Sequence, residues 1–139
     1  MDKLPNINLY NFDGALLELN NAFREKEVLF VFVSLYCKRC IELLPDIEGL
    51  LQHGLDLVLI TNGEVEDNYE MVKYFGWTFP VLTMTNSNMA EYFHVYETPA
   101  IRIYNNQGLL LNQGIINVSS DILFYIKNMD SQFSKRGDV

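Results

Sequence analysis

Six consecutive residues, Val28-Leu29-Phe30-Val31-Phe32-Val33, are apolar and rich in β-branched and aromatic side chains. A run this short and continuous has no polar face to turn toward water. It reads as a strand buried on both sides, central in a sheet with parallel pairing. Leu55 to Thr61, closed by Asn62-Gly63, reads as a second buried strand. Strands buried on both faces need helices over both, and the remaining sequence supplies them. Ile41, Leu44, Ile47 and Leu51, joined by Leu43 and Leu50, recur at helical spacing, with Pro45 expected to kink that helix. Val65, Tyr69, Val72 and Phe75 form a second stripe, and Gly76 is placed to end it.

Turn signals divide the rest. Residues 4–19 carry Asn and Asp-Gly between short apolar runs, predicting a hairpin-like N-terminal extension, and Asn20 to Glu27 predicts a short helix. Pro80-Val81-Leu82 opens a short strand, and Asn86 to Phe93 forms a short helix. Ala100 to Tyr104 and Leu109 to Ile116 pair as a hairpin across Asn105-Asn106-Gln107-Gly108. A last helix, with Ser119 or Ser120 as N-cap, buries Ile122, Tyr125, Ile126 and Met129. The order predicts an α/β fold: a central mixed β-sheet flanked by helices on both faces. A chain of 139 residues holds one such core rather than two. That core is expected over residues 1–130, with a polar, frayed tail over 131–139.

Charge narrows the partners. A net charge of −8 opposes binding to a phosphate backbone or an anionic membrane, and no basic patch with interleaved aromatics offsets it. Met1-Asp2-Lys3-Leu4-Pro5 lacks the basic start and apolar run of a secretory signal. No apolar stretch approaches the roughly 20 residues of a membrane helix. The expectation is a soluble, cytoplasmic protein with no nucleic-acid partner and no membrane span. Removal of a leader or anchor would place the chain outside the cytoplasm instead.

Cys37 and Cys40 are too few for a disulfide scaffold, and a bridge between them closes too small a ring to staple a domain. Such a pair reads as redox or metal chemistry. Cys37-Lys38-Arg39-Cys40 lies between a buried strand and a helix. A helix start offers unpaired N–H groups and the positive end of the dipole, which favour a thiolate. Cys37 feels this most, so its pKa is expected below the free value of about 8.5. Lys38 and Arg39 add positive charge, each contributing about 1 kcal/mol. Cys40 lies nearer the core, within reach to close a disulfide. The competing reading is half of a zinc site. That needs about four ligands, and the other candidates, His53 and His94, lack metal-motif spacing. Neither a metal nor a cofactor is expected. Thr98-Pro99, just before the Ala100 strand, is a second landmark; an ordinary trans loop proline is its alternative reading.

Val33-Ser34-Leu35-Tyr36-Cys37-Lys38-Arg39-Cys40, followed by Pro45, resembles the active-site segment of thioredoxin-fold proteins of the TlpA/ResA-like, redoxin-related branch. Phe79-Pro80-Val81-Leu82 resembles that branch's middle strand, and Phe93 to Ala100 with the hairpin through Gly108 its cis-proline strand. The ordered matches cover nearly the whole chain. The resemblance implies a thioredoxin-like fold, with Cys37 as attacking thiolate and Cys40 as resolving thiol. It implies that Pro99 is cis and that Thr98 offers backbone groups to an extended substrate. It also implies that Tyr36, where the family usually has Trp, serves as an aromatic lid. The chain departs from the pattern in several places. Position 39 is not proline, and Leu43 and Val31 stand where relatives carry acidic residues, leaving Glu42 as a neighbouring carboxylate. Glu97 replaces a common glycine and is placed to pair with Lys38 or Arg39.

The activity implied is thiol–disulfide exchange with a protein or peptide substrate, reset by an upstream thiol donor or acceptor. Cytoplasmic location favours reduction, whereas the basic dipeptide between the cysteines favours an oxidising poise, so the direction stays open. A peroxiredoxin-like thiol peroxidase is an alternative: Ser34 and Cys37 echo part of that spacing, although Phe30 stands where a proline is expected. A non-enzymatic metal-binding or adaptor module is another.

Overall fold

A computed structural model of the chain describes residues 3–137, with side chains described through Met129. Strands β1 (Asn8–Tyr10) and β2 (Leu16–Glu18) pair antiparallel as the expected N-terminal hairpin. A short helix α1 (Leu19–Ala22) follows, shorter than the Asn20 to Glu27 segment expected. The central sheet comprises β3 (Val28–Val33), β4 (Asp56–Thr61), β5 (Val81–Thr83), β6 (Ala100–Tyr104) and β7 (Leu110–Ile115). Their spatial order is β5-β4-β3-β6-β7. β3 pairs parallel with β4, and β4 with β5, whereas β6 runs antiparallel to both β3 and β7. The sheet is therefore mixed, as expected.

All six residues of β3 are buried. Alternation along the strand sends odd and even positions into different cores. Leu29, Val31 and Val33 join Cys40, Leu43, Leu44, Ile47, Leu50, Ile122, Ile126 and Met129 on one face. Val28, Phe30 and Phe32 join Leu19, Phe23, Met89 and Phe93 on the other. Each fully buried Phe or Leu stabilises the fold by roughly 1.5–3 kcal/mol. The first face is covered by α2 (Lys38–Leu43), a 3-10 helix (Leu44–His53), α3 (Val65–Phe75) and α5 (Ser119–Gly137), the second by α1 and α4 (Asn86–Phe93).

The helix after the cysteines differs from expectation. It does not kink at Pro45 but tightens: Leu44 N–H bonds the Ile41 carbonyl, and the chain continues as a 3-10 helix to His53. Pro45 has no N–H to extend the α-ladder, and its ring would crowd the Ile41 carbonyl. The inward stripe becomes Cys40, Leu43, Leu44, Ile47 and Leu50, leaving Ile41 exposed. In α3, Asn68 rather than Tyr69 faces the core; Tyr69 is exposed, and Asn68 Oδ1 accepts a 2.6 Å bond from Thr61 Oγ1. Gly76 ends α3 at φ 70, as expected. Ser119 lies inside α5 and bonds Asp46, while Asp121 turns back to accept from Asn117 and Val118 N–H. A carboxylate in the first turn thus ties down the two residues that lead into the helix, and neither serine is observed capping it. The expected tail over 131–139 falls outside the described side chains. No helix among the described residues is long and apolar enough to cross a membrane.

Candidate active site

Strand register assembles the site. β3 ends at Val33, level with Thr61 of parallel β4, while antiparallel β6 begins at Ala100 opposite Phe32. The loop after β3, the turn after β4 and the residues before β6 therefore emerge at one end of the sheet. That brings together Ser34 to Cys40, Asn62-Gly63 and Thr98-Pro99, although up to 61 positions separate hydrogen-bonded partners.

Cys37 caps α2 in an extended conformation, φ −102 and ψ 119. Its sulfur accepts from Cys40 N–H at 3.4 Å and donates to the Thr98 carbonyl at 3.5 Å. The Thr98–Pro99 peptide is cis, Pro99 is buried, and its carbonyl accepts from Ile116 N–H at 2.8 Å. Cys40 is fully buried, and its sulfur accepts from Ser34 N–H at 3.4 Å. Both cysteines are free thiols.

The two sulfurs ionise unequally. Partial burial opposes ionisation of Cys37, but hydrogen bonds with Cys40, the Thr98 side chain and the Arg39 N–H outweigh it and hold the pKa below its ordinary value. Burial pushes Cys40 the other way, to about 11, reinforced by its hydrogen bond with Cys37. A part-exposed sulfur that ionises easily, backed by a buried one that does not, can attack first and be released second.

The basic dipeptide acts differently from expectation. Arg39 assists Cys37 through its backbone N–H, while its guanidinium donates to Asn117 Oδ1. Lys38 is exposed, and among the described residues neither cation forms an ion pair with Glu97. Tyr36 is 93% exposed and stands in solvent, so it does not lie over the cysteines as a lid. Glu42 is exposed, whereas Val31 and Leu43 pack in the core with Cys40. His53 and His94 are exposed at helix ends, and no group of three or more His, Cys, Asp or Glu side chains gathers among the described residues.

Two polar residues at the site were not singled out as partners of the cysteines. Ser34 is buried, and its hydroxyl accepts from Tyr36 N–H at 3.2 Å and Asn62 Nδ2 at 3.0 Å. Asn62 also accepts from Leu35 N–H at 2.8 Å. The signal available was parallel pairing, which puts the residue after β4 beside the loop after β3.

No protein-family model matches the chain, and no curated protein matches it by sequence. Solved structures do. A secreted Mycobacterium tuberculosis disulfide oxidoreductase homologous to E. coli DsbE superposes with TM-score 0.68 at 17% identity, covering 88% of this chain and 95% of that one. Mycobacterium tuberculosis DsbF gives 0.68 at 19% identity, over 89% and 95% of the two chains. The peroxidoxin BcpB from the same organism gives 0.78 at 12% identity, over 94% and 95%. The fold is thioredoxin-like. At these identities the likeness is one of architecture, and chemistry rests on the residues at the end of the sheet.

Proposed function

We propose that this chain exchanges thiols and disulfides with a protein or peptide substrate through Cys37 and Cys40. The observation that carries the reading is the asymmetry of the pair: a part-exposed sulfur with lowered pKa beside Thr98, and a buried one raised to about 11. Cys37 thiolate attacks a substrate disulfide, forming a mixed disulfide and releasing one substrate thiolate. Cys40, losing its proton, then attacks Cys37 Sγ and expels the second. The substrate gains two electrons, and the Cys37–Cys40 pair becomes a disulfide that an upstream thiol donor must reduce. Thr98 presents backbone groups to an extended substrate segment beside Cys37. Run backwards, the same steps oxidise a dithiol.

Insulin reduction tests the proposal. Activity should vanish in Cys37→Ser, and Cys40→Ser should accumulate a mixed disulfide. Wild-type turnover no greater than that of Cys37→Ser would refute it. Peroxide consumption with a thiol donor separates the peroxidase reading. Against that reading, the Ser34 hydroxyl is occupied by Tyr36 and Asn62, and Phe30 lies in the middle of a buried strand.

A further inference from the structure

We infer that Asn62 is a positioning residue for the cysteine pair, holding Ser34 and thereby both sulfurs in register. The role rests on the proposed exchange chemistry for its purpose, but its geometry stands independently.

The Asn62 side chain can bind in one orientation only. Leu35 N–H can donate but not accept, so Oδ1 must face it, at 2.8 Å. That leaves Nδ2 for the Ser34 hydroxyl, at 3.0 Å. Two adjacent residues of the loop are thus held by one planar group. Ser34 passes the constraint on: its carbonyl accepts from Cys37 N–H at 3.1 Å, and its N–H bonds Cys40 Sγ at 3.4 Å. Its hydroxyl, also bonded to Tyr36 N–H, sets the turn between them. Every polar group of Ser34 therefore connects Asn62 to a residue of the cysteine loop.

Asn62 is itself anchored from behind. Gly63 N–H donates to Thr61 Oγ1 at 3.1 Å, and Thr61 Oγ1 donates to buried Asn68. Thr83 Oγ1 donates to the Gly63 carbonyl. A Cβ at Gly63 would overlap the Leu35 side chain, so loop and turn are in close contact. The clamp is thus backed by α3 and β5 and does not hang from a free loop.

Ser34 holds both Cys37 N–H and Cys40 Sγ, so loosening it should disturb the contacts of Cys37 with Cys40 and Thr98 together. Iodoacetamide alkylation of reduced protein, followed against pH and mapped to Cys37 by mass spectrometry, measures this without a substrate or redox partner. A chain inactive in disulfide exchange would still report on the clamp. Asn62→Ala should move the Cys37 midpoint upward and slow alkylation at neutral pH by about 3- to 10-fold, the equivalent of half to one pKa unit. Ser34→Ala, which removes one oxygen and keeps the backbone bonds, should act in the same direction and carries the test if Asn62→Ala fails to fold. The double variant should resemble Asn62→Ala alone, because both changes break one path. A Cys37 profile unmoved in both single variants, with only unfolding affected, would overturn the inference. Strictly additive shifts in the double variant would overturn the route through Ser34.

Discussion

Opposite shifts on two neighbouring thiols make the stability of the reduced protein depend on pH with a definite shape. Unfolded, both cysteines titrate at the ordinary thiol value, about 8.5 to 9.0. Folded Cys37 loses its proton at lower pH, so between its lowered pKa and 9.0 the unfolded chain binds more protons and stability rises with pH. Folded Cys40 keeps its proton to about 11, so between 9.0 and about 11 the folded chain binds more protons and stability falls. The thiol contribution therefore peaks near 9.0. On the falling arm the rise to about 11 corresponds to about 3 kcal/mol, on the order of 100-fold in the folding constant. Tyrosines and lysines also titrate there, so the quantity to measure is the difference between wild type and Cys40→Ala. Urea unfolding in a phosphine reductant, from neutral pH to pH of about 11, supplies it. The cavity left by Cys40→Ala adds a constant offset and does not alter the slope. A difference that stays flat above 9.0 would show that burial does not hold the Cys40 proton, and the ordering of the two thiols would lose its physical basis.

Three further outcomes follow from the packing. Arg39→Ala should leave the Cys37 titration within about 0.3 units, because an exposed side-chain charge is screened and the helpful group is a backbone N–H that alanine retains; alkylation against pH checks it. Phe30→Ala should cost about 3–5 kcal/mol in denaturant titration, since Phe30 is fully buried with Phe23, Phe93 and Tyr104 rings 5.7–5.8 Å away. Gly114→Ala should cost about 1–3 kcal/mol, because its Cβ would overlap the Tyr125 ring; adding Tyr125→Leu should recover most of the loss, read from the urea midpoint.

Elements were legible where one physical demand dominated. Val28–Val33 stands out because nothing in it tolerates water. Reading failed where a residue did something its type does not advertise. Asn68 is polar yet buried, with Thr61 bonding its oxygen while its Nδ2 has no partner among the described residues, and aromatic Tyr69 faces solvent. Arg102, inside the apolar strand β6, is buried because it donates to the carbonyls of Ile101, Phe93 and His94. The same division applies at the site. Cys37, Cys40 and Thr98-Pro99 are rare enough in combination to be noticed. Asn62-Gly63 is an ordinary turn signal, and only the β3–β4 register reveals that its side chain belongs to the cysteine loop.

The mixed sheet builds this site in a way that neither a purely parallel nor a purely antiparallel sheet would. Parallel pairing of β3 with β4 brings two strand ends together, so the residues following Val33 and Thr61 meet. Antiparallel pairing of β3 with β6 brings a strand start to the same edge, so the residues preceding Ala100 arrive there too. Cys37 is thus held between a turn that has just left the sheet and a segment about to enter it. A slip of one residue between β3 and β6 would carry Thr98 about 3.4 Å along the strand and exchange the two buried faces. Tyr104 of β6 would then leave the aromatic cluster it forms with Phe30 and Phe93. The register that keeps Thr98 at Cys37 is therefore enforced by hydrophobic packing well away from the sulfurs. The irregularity in the β6–β7 pairing lies opposite Ile103 and Tyr104, where β7 carries the extra residue Leu111, at the far end from Thr98. The sheet absorbs its one register shift there, and the edge that carries the cysteine loop stays regular.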